Sequence, residues 1–451
     1  MKIPSQRQSG TVPHVPSSIL LCSPGFSTLC SAWRGEQLRN LLAFTAALLP
    51  IGALHAQNVV TDWNTIASTA IVTNGGKASV ASGVWFAYTS IAVYDAVNAV
   101  HQKYQAFYYD RVAPTGASDE AAAVAAAHRV LVSYFPAQQA DLDAAFTKSL
   151  NAIVGSAQAK ADGMATGEAA AAALIAERAN DGLEANVTYT PASGPGVWQP
   201  TPPGFLAALT PWLGQMRPFT MNSASQFLPD GPTPLASERW VVEYNTTRLL
   251  GEMNSTLRTA AQGEIGMFWA VHTGQQYSRV FGYLAQNYKL DVMDSARLLA
   301  ILWTGYADTG IGCWNAKFTY NFWRPVTAIR GGGGDSELTA DGGWTSLATT
   351  PNHPEYPAAH GCATGVSSKL VEDFFGTRKV HVVVDNTITF NDGVHTHTFE
   401  DTGDWLEEVY WARILGGLHF HHSLEDGATL GRQVAAQVFG NHFRPRHRHP
   451  H

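Results

Sequence analysis

Apolar residues at helical spacing cover most of this chain, and long alternating segments are almost absent. A chain patterned this way buries its apolar surface by packing helix on helix. The expected fold class is therefore all-α, built of helical bundles with little β structure. Residues 118–182 are Ala-rich, and Ser118-Asp119-Glu120 reads as a helix start. A serine oxygen there accepts from an amide of the first turn, and the acids face the positive helix end. Pro136 interrupts the run, helices are predicted over 141–154 and 161–180, and Gly182 supplies a stop. Such small side chains predict a hairpin or bundle of closely packed helices. Further helices are predicted over 84–100, 236–253, 260–270, 294–308, 407–418 and 429–439. The Val- and Thr-rich stretch 378–400 predicts a short hairpin around Asn391-Asp392-Gly393.

Residues 184–236 change character to Pro, Gly and Thr. A loop of this length is usually functional or wraps a surface. It divides a helical region, 57–183, from a second one, 237–440, and a disordered Arg/His-rich tail is expected over 441–451. With 451 residues and 45% hydrophobic content, the chain can bury a substantial core. The net charge of −7 leaves no nucleic-acid footprint. Arg34 and Arg39 precede an apolar run, Leu41 to Leu54, with Ala56 as a cleavage point. Residues 1–56 thus read as an export signal, too short in its apolar run for a membrane span. The expected location is periplasmic or extracellular. Cys313 and Cys362 fall outside that leader; a disulfide and two free buried thiols both stay open.

The chemistry concentrates in three basic patches. Lys317 is followed after six residues by Arg324-Pro325; Pro357-Ala358-Ala359-His360-Gly361 comes next; Arg413 is followed after five residues by His419. No carboxylate or cysteine lies inside them. One lysine, two arginines and two histidines suit a tetrahedral oxyanion held by charge-assisted hydrogen bonds. They do not suit a Zn²⁺ or Ca²⁺ site. A neutral imidazole can coordinate or attack, and a second one, titrating near neutral pH, can move protons.

This set resembles the signature shared by vanadium-dependent haloperoxidases and type 2 phosphatidic acid phosphatases: Lys-x6-Arg-Pro, Pro-Ser-Gly-His and Arg-x5-His. The likeness extends through Ala307-Asp308-Thr309-Gly310-Ile311, Trp314 and Phe322-Trp323, and upstream to Asp62-Trp63, Tyr94-Asp95 and Asn98, as in the bacterial haloperoxidase-like branch. It covers residues 57–440 and is strongest over 294–432. The resemblance implies that Lys317, Arg324 and Arg413 hold the oxygens of vanadate, with N–H groups near Ala359 and Gly361 as further donors. His419 would bind vanadium, and His360 would be the acid–base residue. Lys317 would also polarise bound peroxide. Hydrogen peroxide and a halide would be the co-substrates, and released hypohalous acid would halogenate small organic compounds.

Phosphate is near-isosteric with vanadate and can occupy the same site. The alternative function is therefore a soluble secreted acid phosphatase, with His419 as nucleophile and His360 protonating the leaving group. Ala358 stands where the family has serine, which removes one hydroxyl donor. Ser423 stands where many relatives place an aspartate that orients the axial histidine; Ser423, Glu425 and Asp426 are the substitutes within reach in sequence. Trp314 and His353 are candidates for the halide pocket. In the family, histidine at the second position accompanies bromide preference. His421 and His422 would point away from the site. Asp308 is read as a site-orienting or a structural carboxylate. His395 and His397 would share one exposed strand face. Relatives of this kind often associate, which leaves a homo-oligomer open.

Overall fold

The fold comes from a computed structural model that describes residues 58–386 and 395–446. The expected export signal, the Asn391-Asp392-Gly393 turn and the last residues of the tail lie outside the described residues. The described part is helical, as its periodicity requires. In chain order the helices are α1 (Val59–Ser68), α2 (Ser82–His101), α3 (Asp119–Tyr134), α4 (Gln139–Ala152) and α5 (Ala157–Glu177). After the long loop follow α6 (Glu238–Leu250), α7 (Ala260–Phe268), α8 (Thr273–Asn287), α9 (Val292–Tyr320) and α10 (Pro325–Arg330). The last are α11 (Ala359–Phe375), α12 (Thr402–Leu415) and α13 (His421–Asn441). Strands β1 (Val382–Asp385) and β2 (Thr396–Phe399) pair antiparallel, Val382 opposite Phe399 and Asp385 opposite Thr396.

Helix starts follow local chemistry. Ser118, Ser156 and Ser237 each accept from the third amide of α3, α5 and α6, and Thr259 and Gln262 close a reciprocal box at α7. The Ala-rich pair α3 and α5 meets backbone to backbone. A Cβ on Gly163 or Gly167 would come within 2.3 Å of the Ser118 or Ala122 carbonyl oxygen. The Tyr94–Asn98 segment has a structural task. Asp95 accepts from the amides of Phe107, Tyr108 and Tyr109 at 2.7, 2.7 and 3.0 Å, and Asn98 brackets Tyr104.

The structure departs from the periodicity in three places. Helix α9 runs for 29 residues rather than ending at 308, because Trp, Ala and Gly positions let it be buried on every side. Helices α8 and α11 were not predicted; their Gly, Ser and Thr positions obscure the pattern that packing stabilises. Residues 441–446 of the tail pack on the helices. Phe443 is buried beside Tyr94 and Phe107, and Arg446 Nε donates to the Tyr104 carbonyl at 2.8 Å.

The long loop stays connected to both helical regions, which share one apolar core. Asp308, on the buried α9, has the structural role: it accepts from the Phe219 and Thr220 amides at 2.6 and 2.8 Å and from the Thr220 hydroxyl at 2.5 Å. It thereby pins the loop across the core.

Candidate active site

Helix α9 ends where Asn321 turns left-handed, φ 52°, and its last turn carries Lys317, where the helix dipole favours a cation. Helices α11 and α13 pack through glycines. A Cβ on Gly427 would lie 2.7 Å from the Ala358 carbonyl oxygen, and one on Gly431 would lie 2.5 Å from the Cys362 carbonyl oxygen. This close approach lets Ala358 N donate to Ser423 O at 2.8 Å. It brings the start of α11 beside the Leu418–Ser423 segment, and so His360 beside His419.

These elements enclose a cavity of about 210 Å³ whose wall includes Trp314, His353, Ala359, His360, Arg413 and His419. Among the described residues no carboxylate lines it. Ala358 gives α11 no side-chain cap, so the first-turn amides of Ala359, His360 and Gly361 lack intrahelical partners and form an anion cradle. Two buried nitrogens are also unpartnered: Nε2 of His360 and Nε of Arg413. Each such orphan costs roughly 1–3 kcal/mol. A tetrahedral oxyanion would fit this set: the Arg413 N–H and the helix amides are donors placed for it, and His360 Nε2 is an acceptor for a protonated oxygen.

Arg413 Nη1 donates to the Trp269 carbonyl at 2.9 Å, and burial together with Arg324 lowers the guanidinium to about 9. The Trp269 carbonyl also engages the His360 ring, which leaves the lone pair on Nε2. Burial first, then Arg413, Lys317 and Arg324, hold His360 well below the usual imidazole range. In the folded chain it is therefore a neutral base, not a group titrating near neutral pH as the sequence implied. Burial first, and then the neighbouring cations, explain the difference.

Arg324 is fully buried and stitched into the site. Its Nε donates to the His353 carbonyl at 2.9 Å and its Nη1 to Leu418 O at 3.1 Å. Nη1 also donates to His419 Nε2 at 3.2 Å, and Nη2 to His353 Nδ1 at 2.9 Å. Burial lowers its pKa to about 10, which leaves it charged at neutral pH. Lys317, lowered to about 8 by burial, donates through Nζ to the carbonyls of Pro354 and Glu355 at 2.9 Å and of Pro357 at 2.5 Å. All three of its donors brace the segment before α11, so reaching an oxyanion requires it to release one. Trp314 donates to Leu209 O at 3.2 Å, and its ring lies 4.9 Å from His353.

The sequence reading missed Glu355. His419 Nδ1 donates to Glu355 Oε1 at 2.8 Å, and burial, Arg324 and Lys317 keep the imidazole neutral. Ser423 donates to Glu355 Oε2 at 2.6 Å instead of touching His419. Glu425 and Asp426, the other substitutes considered, pair with Arg239 and Tyr356. The available signal was a lone acid between two prolines, Pro354-Glu355-Tyr356-Pro357, just ahead of a basic patch.

Other histidines are accounted for. His421 meets Tyr410 Oη at 2.6 Å and His422 pairs with Glu243. His397 is not an exposed strand residue. It stacks on Phe268, with centroids 3.7 Å apart, and pairs with Glu408 at 2.6 Å, because β2 turns this face toward α7 and α12. Cys313 and Cys362 are free buried thiols, with sulfurs 2.8 Å apart.

Residues 297–447, which hold all three basic patches, match the family model of the VCPO second helical-bundle domain. The vanadium chloroperoxidase of Curvularia inaequalis is 23% identical over 201 residues, a match that spans 37% of this chain and 33% of that protein. The chain thus matches about a third of that relative's length. A crystal structure described as the first bacterial vanadium-dependent iodoperoxidase superposes with TM-score 0.74 at 21% identity, covering 86% of this chain and 96% of that one. A holo bacterial vanadium-dependent chloroperoxidase superposes with TM-score 0.66 at 16% identity, covering 84% and 95%. At these identities the superpositions establish the helical fold. The family model establishes the kinship of the segment that holds the three patches: residues 297–447 belong with the VCPO second helical-bundle domain.

Proposed function

We propose that the protein is a vanadate-dependent haloperoxidase that oxidises a halide with hydrogen peroxide to hypohalous acid, which halogenates small electron-rich organic compounds. The observation that carries this reading is the pair of orphaned nitrogens, His360 Nε2 and Arg413 Nε, in a cavity lined also by His419 and by no carboxylate. Bound vanadate would supply a Lewis-acidic centre that activates peroxide toward halide. His419, neutral and protonated on Nδ1, would offer its Nε2 lone pair as a ligand once Arg324 Nη1, which donates to it at 3.2 Å, turns to an oxyanion oxygen. Arg413, Arg324 and the first amides of α11 hold the oxygens, and Lys317 adds charge from behind. His360 Nε2 takes the proton that incoming peroxide must lose. The cations and the lack of a carboxylate on the wall favour halide entry.

Solved relatives are named for iodide and for chloride, so the fold alone does not set the halide. We favour bromide, because His353 rather than a second aromatic ring faces Trp314. Residues 1–56 would export the protein to the periplasm or beyond.

A paired assay tests this reading. The protein is stripped of oxyanion, orthovanadate is added, and peroxide-dependent bromination of a cyclic diketone is followed beside phosphate-ester hydrolysis without vanadate. Bromination that requires vanadate, is blocked by phosphate and is lost in His419→Ala is the expected result. Ester hydrolysis inhibited by vanadate, with no halogenation, would make the protein a phosphatase.

A further inference from the structure

The carboxylate beneath His419 comes from an unexpected place in the chain. Glu355 lies in the loop before α11, is fully buried, and accepts three hydrogen bonds: from His419 Nδ1 at 2.8 Å, Phe420 N at 3.0 Å and Ser423 Oγ at 2.6 Å. Its own amide donates to Phe322 O at 2.8 Å, which ties it to the loop leading into Arg324. Lys317 holds the same segment through the carbonyls on either side. With both carboxylate oxygens engaged and its backbone fixed, Glu355 has one orientation, and that orientation fixes the His419 ring with Nε2 toward Arg324 and the cavity. Behind it, Ser423 Oγ lies 3.4 Å from His422 Nε2, and His422 is bonded to Glu243.

We propose that Glu355 is the positioning residue for His419, and that Ser423 is its clamp. The carboxylate that relatives place four residues after this histidine has here moved to the loop before α11. Ser423 is then a consequence of the move: an aspartate there would face Glu355 across a contact of 2.6 Å, and two carboxylates cannot share it without repulsion. The inference rests on the reading of His419 as the oxyanion ligand; the tautomer arm of its test does not.

Ring ¹⁵N shifts of His419 in the full-length protein without oxyanion report the tautomer, and titration with orthovanadate reports affinity. The expected wild-type state is Nδ1–H. Glu355→Leu should lose that tautomer preference and weaken vanadate binding about 10–100-fold. Glu355→Gln keeps an acceptor and should keep the tautomer while binding about 10-fold more weakly. Ser423→Asp should impair the wild type but restore tautomer and affinity in the Glu355→Leu background. If Glu355→Leu does not fold, Glu355→Gln decides the matter. Wild-type affinity in Glu355→Gln, an unchanged tautomer in Glu355→Leu, or no rescue by Ser423→Asp in a folded protein would each overturn the proposal. A wild type that binds no vanadate would overturn the proposed function, and the tautomer measurement would still judge Glu355.

Discussion

Restoring serine at position 358 separates the fold of the site from its occupancy. Ala358 is the N-cap of α11, with φ −71° and ψ 121°, and provides no side-chain cap. Ser118 caps α3 at nearly the same angles, φ −76° and ψ 119°, and accepts from the third helical amide at 3.1 Å. Ala358→Ser should therefore place Oγ within reach of the Gly361 amide without backbone change, for a gain of about 1 kcal/mol in stability. A hydroxyl that accepts from Gly361 withdraws that amide from the cradle, leaves those of Ala359 and His360, and still has its own more acidic proton to donate. Directed at a bound oxyanion, that charge-assisted bond is worth about 1.5 kcal/mol, or roughly tenfold in affinity. Denaturant unfolding measures the first gain, and calorimetric titration with orthovanadate and with phosphate measures the second. Both anions should bind about tenfold more tightly. A variant that is stabilised but binds neither anion better would show that the oxyanion does not rest on the first turn of α11, which would refute the site as drawn.

Three further outcomes follow from the geometry. Gly427→Ala forces a methyl to 2.7 Å from the Ala358 carbonyl oxygen; it should cost about 1–3 kcal/mol in denaturant unfolding and also weaken oxyanion binding, because α11 is displaced. Asp308→Ala strands the Phe219 and Thr220 amides and should destabilise by about 3 kcal/mol or more, with the long loop becoming sensitive to proteolysis. Asp401 is lowered from 3.8 to about 2 by the Gly403 amide and by Arg378 and Lys379. A depressed folded pKa means its contribution is present above about pH 4 and is lost as pH falls through about 2. The stability gap between wild type and Asp401→Asn should be constant at higher pH and close over that window.

Helix-period spacing, Ser118 as a cap and the three basic patches could be read directly, because local spacing and residue type determine them. The fold class and the Ala-rich packing followed from those signals; of the candidate site residues, Trp314, His353, Ala359, His360, Arg413 and His419 line the cavity, whereas Lys317 and Arg324 brace it from behind. Glu355 could not be read in this way. Its value lies in three partners, His419, Phe420 and Ser423, more than sixty residues away along the chain, and it stands outside the three basic patches. The length of α9 and the existence of α11 were hidden because burial on all sides, or glycine-mediated contact with α13, replaces the amphipathic stripe that periodicity detects.

The chemical character of the site, cationic and imidazole-bearing, was determined by the sequence itself, since charge and donor type belong to the side chains. The tertiary structure alone decided how each group is poised. It lowered the basicity of His360 by burying it and then by setting Arg413, Lys317 and Arg324 near it. It committed Lys317 to three carbonyls. It also moved the carboxylate behind His419 to another loop. Protonation and orientation depend on distance and burial, and those quantities exist only once the chain has folded.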